Sequence, residues 1–193
     1  MLGDTLTALA DLPNVTIFFT PDDAEPEIAA LYPSRPRASQ GGGDLGRRML
    51  RALRFLLNVT VSDPVAEQPR SQTPDAAVLV GSDIPLLRAG HVREAADTLR
   101  ASGGVVLGPA DDGGYYLIGM TRAHAGLFEE IAWGTDSVLT DTLRAAERIG
   151  VEARLVRSAY DVDTIDDLRR LETDLALAPA EVCPALRRWL SES

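Results

Sequence analysis

Short apolar runs alternate along the chain with apolar residues at helical spacing, the pattern of a layered α/β sheet. Residues 15–20 (VTIFFT) read as a buried strand. Pro21 and the acids Asp22, Asp23 and Glu25 then open a helix that ends near Leu31, with carboxylates where the helix dipole favours them. Leu45, Met49, Leu50, Leu53 and Leu56 share one helical face, with Arg47, Arg48, Arg51 and Arg54 on the other, predicting a helix over 45–57. Residues 76–80 (AAVLV) form the most apolar strand and so are expected at the sheet centre. A helix over 88–100 follows, then strands at 105–107 and 115–118 around a glycine-rich link. The pattern continues with a helix over 137–149 stopped by Gly150, a strand at 152–157, a helix over 165–175 and an amphipathic tail helix over 180–190. The polar stretch 58–75, with Pro64, Pro69 and Pro74, reads as a loop insertion. One domain over 1–175, followed by a tail over 176–193, is the simplest organisation.

The 193 residues suffice for one sizeable domain, which buries roughly two-thirds of its unfolded surface and needs no disulfide or structural metal. Charge narrows the function. Twenty-nine acids against nineteen bases give a formal charge of −10, which repels nucleic-acid backbones and anionic membrane surfaces. Every base is Arg, so no mechanism can use a Schiff-base or phosphate-clamping lysine within these residues. A lone cysteine, Cys183, excludes an internal disulfide and a Cys-rich zinc site. With only His91 and His124, a multi-histidine metal cage is also excluded. Any metal here must take carboxylate oxygens, which favours Mg²⁺ or Mn²⁺. Neither a membrane-spanning run nor a basic, apolar leader is visible, so a cytoplasmic protein is expected.

Four segments carry candidate chemistry. Gln40 to Gly46 (QGGGDLG) satisfies G-x-G-x-x-G and opens a helix, but the preceding SRPRAS is not an apolar strand. Nor does an acid end a strand about 20 residues on, so a dinucleotide site lacks its context. A glycine loop that lets backbone approach a nucleotide, and a plain turn with Asp44 as N-cap, both remain open. Gly81-Ser82-Asp83 directly follows a strand, where open α/β sheets bind ligands, although Asp83 can also serve as a cap. Asp111, Asp112, Gly113 and Gly114 exceed what a tight turn needs, and Tyr115 or Tyr116 can stack or hydrogen-bond with a substrate. In YDVDTIDDL, Thr164 is an N-cap with Asp166 and Asp167 in the first turn, but Asp161 and Asp163 lie upstream of that cap. Their alternation about Val162 puts both carboxylates on one face of an extended segment, where with Asp83 they can share one divalent cation.

In this order, QGGGDLGRRM, VLVGSDIP, LGPADDGGYYLIG, Trp133-Gly134-Thr135 and YDVDTIDDL resemble a bacterial GT-A-fold family of unknown function, the selenodomain-associated transferase type. The resemblance runs from about Asp4 to Leu171. It implies a three-layer α/β/α domain with a mostly parallel sheet, similar to nucleotide-diphospho-sugar transferases and to sugar-phosphate and molybdopterin nucleotidyltransferases. It implies that Gln40, Gly41, Gly42, Gly43, Leu45 and Gly46 face a nucleobase and ribose. Asp83 and Asp163, with Asp161 beside them, would hold the metal that bridges the nucleotide phosphates. Asp111, Asp112, Gly113, Gly114, Tyr115, Tyr116, Trp133 and Thr135 would line the acceptor side. The implied partners are a nucleotide (NTP or NDP-sugar) and a small acceptor, with Mg²⁺ or Mn²⁺ as cofactor. Whether the chain forms a homo-oligomer stays open.

The family starts with an apolar strand and a Gly/Lys/Arg loop that clamps the triphosphate, whereas this chain starts at what resembles the end of the following helix. The missing strand would sit mid-sheet, so a gap is expected between 15–20 and 76–80. A misplaced start and a shortened form that has lost its clamp are equally compatible with this, with Arg47 and Arg48 offering partial compensation unless they face solvent. The expected activity is nucleotidyl or glycosyl transfer. The alternative is a non-catalytic nucleotide- or partner-binding protein on the same fold.

Overall fold

The computed structural model describes residues 1–57 and 75–192, so all but Asp75 of the expected insertion lies outside the described residues. In chain order the elements are α1 (Leu2–Ala8), β1 (Ile17–Phe19), α2 (Glu25–Leu31), β2 (Arg37–Ser39), α3 (Leu45–Leu56), β3 (Ala77–Val80) and α4 (Ala89–Ser102). These are followed by β4 (Val105–Pro109), β5 (Tyr115–Met120), α5 (Val138–Arg148), β6 (Ala153–Leu155), α6 (Ile165–Leu177) and α7 (Pro184–Glu192).

The strands fall into two sheets, a parallel pair β1-β2 and a mixed sheet ordered β3-β5-β4-β6. In the larger sheet only β5 runs against its neighbours, while β4 and β6 pair in parallel. Alternation decides the layers. Leu107 and Ile118 turn to the face covered by Leu53 of α3 and Ala146 of α5, whereas Val106 and Leu117 turn to Ala95 and Leu99 of α4. Helices cover both faces, so the domain is the expected three-layer α/β/α arrangement.

The expected gap is present: among the described residues no strand joins β1-β2 to β3. Helix α3 spans it on one face, with Phe55 edge-on to Phe18 of β1 at 5.6 Å between ring centroids and Leu53 in the core with Ala77 of β3. Strand β3 is therefore at a sheet edge rather than central. It is apolar because both its faces are covered: Ala77 and Leu79 join the α3 side, Val78 and Val80 the side of Ala95 and Leu99 of α4. Strand β2 is a second departure, because SRPRAS does contain a strand. On the outer edge of a two-stranded sheet it needs no apolar run. Its Arg37 pairs with Glu25 at 2.8 Å and its Ser39 hydroxyl bonds Asp22.

Several predicted caps are in place. Asp44 accepts the Arg47 amide at 2.8 Å to start α3, and Thr164 and Asp167 form a capping box on α6. The tail helix starts at Pro184, four residues later than its amphipathic pattern suggests, because Pro suits a first helical position and Cys183 before it has φ 52°.

Candidate functional site

The candidate segments all follow strands at one edge of the domain, the carboxyl ends of the parallel strands. Gln40 follows β2, Asp83 follows β3, Asp111–Gly114 follows β4, and Asp161–Asp163 comes after β6. Pairing between β4 and β6 continues into the loops: the Val156 and Ala159 amides donate to Leu107 and Pro109, and Ala110 bridges Ala159. This lays Asp111 and Asp112 alongside Tyr160 and Asp161.

Electrostatics identifies the group that forms there. Burial pushes the Asp161 carboxyl above the usual range, one backbone amide opposes this, and the charges of Asp112, Asp163 and Asp83 add to the rise. Asp83, Asp112 and Asp163 are thus within electrostatic reach of Asp161. Asp112, expected on the acceptor side, is a fourth member. Asp83 does not cap α4, whose N-cap is Arg88. Among the described residues no three His, Cys, Asp or Glu side chains are disposed to hold one ion by themselves. An all-carboxylate set still fits a hard cation of the Mg²⁺ kind, which characteristically takes one or two carboxylates and completes its shell with substrate phosphates.

The charge cost can be read out by pH. Because the folded-state pKa of Asp161 is raised, its stabilising contribution is complete below its unfolded value, about 3.9, and is lost as pH rises through the folded value. Asp161→Asn should therefore stabilise the metal-free protein at pH 7 by a few tenths of a kcal/mol, with the gain vanishing near pH 3. Urea melts in EDTA at the two pH values check this, and destabilisation at pH 7 would contradict it.

The glycine loop is fastened from α3. Arg51 donates to the carbonyls of Gln40 and, at 3.2 Å, of Gly42, while Arg48 donates to Gly43 at 3.1 Å and the Gly41 amide to the Ser39 hydroxyl at 2.8 Å. The arginine face of α3 is thus partly spent on its own loop, while Arg47 is largely in solvent, 3.9 Å from Asp44. The Gln40 amide donates to the Phe18 carbonyl at 3.1 Å, so its N–H side holds the strand edge. Leu45 is exposed at the start of α3.

Gly46 explains how the loop meets the acceptor segment. A Cβ there would lie 2.6 Å from Trp133 Cζ2, so the indole rests directly on the helix start. Trp133 also stacks on Phe128 at 6.4 Å, and Phe128 lines a cleft of about 370 Å³ with Asp44, Arg47, Leu50 and Glu129. Thr135 donates to the Ala132 carbonyl and bonds Ser137, which shapes the turn after the indole. Gly113 packs against the Asp136 backbone at φ 88°, and its carbonyl accepts the Leu139 amide at 3.0 Å. Gly114 donates to Asp112 at 2.8 Å. Normally Gly→Ala inside a helix gains up to about 1 kcal/mol. Gly46→Ala should instead cost about 1–2 kcal/mol and shift the Trp133 emission, as a thermal melt with fluorescence detection would show. A more stable variant with unchanged emission would contradict the packing.

The tyrosines depart from expectation. Tyr115 turns its hydroxyl into the core towards Thr142 of α5; the two are close enough to interact, but neither hydroxyl has a partner in good hydrogen-bond geometry. Tyr116 faces the opposite layer and donates to the Arg157 carbonyl at 3.0 Å. Both are strand residues packed on the two faces, not ring platforms for a ligand. His91 accepts the Arg88 amide at 3.0 Å and caps α4, while His124 follows β5 at the opposite end of the sheet from the carboxylates. Arg170, which sequence spacing did not single out, reaches from α6 to Asp111 at 2.6 Å.

Known proteins share this fold. Residues 5–135 match the model of DUF2064, uncharacterised proteins conserved in bacteria. The chain belongs to this family. A proposed nucleotide-diphospho-sugar transferase from Desulfovibrio desulfuricans G20 is 31% identical, with a TM-score of 0.80 over 97% of this chain and 79% of that one. This DUF2064 chain also shares its fold with a 4-diphosphocytidyl-2C-methyl-D-erythritol synthase from Anaerococcus prevotii DSM 20548 (TM-score 0.60, 12% identity, 91% and 85% covered). A cytidylyltransferase from Leptospira borgpetersenii serovar Hardjo-bovis is similar too (TM-score 0.59, 16% identity, 99% and 82% covered). Among curated proteins none matches. Among the described residues of the DUF2064 chain, no helix is long and apolar enough to cross a membrane.

Proposed function

We propose that this chain is a cytoplasmic, metal-dependent transferase that takes a nucleotide, as NTP or NDP-sugar, and a small acceptor. The observation that carries the reading is that Asp83, Asp112 and Asp163, on the segments after β3, β4 and β6, all lie within electrostatic reach of Asp161. The fold shared with nucleotide-sugar and cytidylyl transferases supports it.

Asp83 and Asp163 would hold Mg²⁺ or Mn²⁺ against the nucleotide phosphates, with Asp161 beside them. Such an ion supplies charge neutralisation and orientation at phosphate oxygens. The chain's own residues do the rest by position. The loop from Gln40 to Gly43, pinned by Arg48 and Arg51, offers a preformed backbone surface to base and ribose. Trp133 and the Gly113–Gly114 turn wall off the acceptor side. For nucleotidyl transfer, an acceptor oxygen attacks the α-phosphorus and pyrophosphate leaves; for glycosyl transfer, the nucleoside diphosphate leaves the sugar.

Calorimetry with the four NTPs and with UDP- and GDP-sugars in Mn²⁺ tests the reading. Heat is expected with at least one of them, and none at millimolar ligand would overturn it. Pyrophosphate or nucleoside-diphosphate release on adding acceptor separates turnover from binding.

A further inference from the structure

We infer that Arg170 is a receptor for a phosphate group on the acceptor, held in waiting by Asp111; this rests on the transferase reading above. Arg170 Nη1 donates to Asp111 Oδ2 at 2.6 Å, joining α6 to the β4–β5 loop. Its guanidinium carbon lies 3.8 Å from the centroid of the Tyr160 ring. That ring is buried at 7% exposure among Leu171 and Leu175, and its hydroxyl donates to Asp174 at 2.5 Å. The platform is therefore rigid, and it, rather than Asp111, sets where the cation sits. Asp112, next to Asp111, belongs to the carboxylate cluster. Arg170 is thus a cation on the border of an acidic site. Arginines near the other candidate segments are otherwise committed: Arg48 and Arg51 to glycine-loop carbonyls, Arg157 to Glu94 at 3.4 Å.

The chemistry of displacement selects the ligand class. Both partners of the Asp111–Arg170 pair are half exposed, so the pair is weak and exchangeable. Asp111 is nevertheless tethered, with an effective concentration in the millimolar range, so an external carboxylate of equal charge competes poorly. A phosphate monoester carries close to two charges at neutral pH and matches the planar guanidinium fork with two oxygens. A phosphorylated acceptor therefore takes Arg170 from Asp111.

The test is a titration of the metal-free protein with inorganic phosphate at constant ionic strength, followed through the Arg170 Nε–H and the Gly113 and Gly114 amide resonances. Saturable binding is expected for the unaltered chain. Asp111→Asn should tighten it about two- to fivefold, the range an exposed pair is worth. Arg170→Ala should abolish it, and Arg170→Lys, which keeps charge but loses the fork, should weaken it. Opposite signs at the two positions are the signature, since a merely structural pair would weaken binding from both sides. Weaker or unchanged binding in Asp111→Asn would overturn the inference, as would phosphate shifts that persist in Arg170→Ala or acetate acting as well as phosphate. If Arg170→Ala does not fold, Asp111→Asn and Arg170→Lys decide. A chain that binds a Mn²⁺–nucleotide but fails this titration loses only this inference. One that passes it yet binds no nucleotide loses the transferase reading instead.

Discussion

Asp83→Asn is expected to weaken Mn²⁺-dependent nucleotide binding by at least about tenfold, since even the outer partners of a metal site are worth 10–100-fold. The same variant should melt within about 0.5 kcal/mol of the parent, as surface substitutions do. Asp83 is exposed, caps no helix and makes no ion pair among the described residues, so the fold does not depend on its charge. Its carboxylate curls back over Gly81, where Oδ1 lies 2.5 Å from the position a Cβ would occupy. That contact supplies an independent variant. Gly81→Ala keeps every charge yet must push the carboxylate aside, so it too should lower the affinity. Calorimetry of both variants with the nucleotide that binds the parent measures this, and undiminished affinity in Asp83→Asn would remove Asp83 from the site.

Much of this site was legible because its residues obey local rules. Asp161 and Asp163 precede a cap that Thr164 and Asp167 complete without them, which left two acids needing another purpose. Asp83 follows an apolar strand where ligands bind. What stayed hidden depends on contacts across long separations. Asp112 could not be assigned to the cluster without the pairing of β4 with β6, and Arg170 meets Asp111 across 59 positions. Strand β2 escaped because an outer strand tied by Arg37–Glu25 and Ser39–Asp22 carries no hydrophobic signal. The tyrosines were misread despite an available signal. Tyr115 and Tyr116 open a run, YYLIGM, whose alternation already sends successive side chains to opposite faces.

The largest effect on stability is expected away from the candidate site, at Asp4. This carboxylate is only 6% exposed, and its two oxygens accept the amides of Ala185 and Leu186 at 2.9 and 3.0 Å, fastening α1 to the first turn of α7. Those amides belong to the orphan donors of a helix start, and Pro184 before them has no amide of its own to give. Removing the acceptor leaves donors unpaired in a part-buried joint. Asp4→Ala should therefore cost about 2 kcal/mol, the scale of a strong cap or a charged hydrogen bond. Asp4→Asn, which keeps one oxygen acceptor, should cost about half as much. The contrast with ordinary ion pairs is the check on mechanism. Asp97 pairs with Arg100 at 2.6 Å, a shorter contact than either Asp4 bond, yet both side chains are more than 60% exposed. Asp97→Ala should accordingly change stability by less than about 0.5 kcal/mol. Urea melts of the three variants, followed by emission from Trp189 on α7, would separate burial from proximity. Equal effects at Asp4 and Asp97 would mean that α7 is held by its apolar contacts, Leu186 above all, and not by the carboxylate.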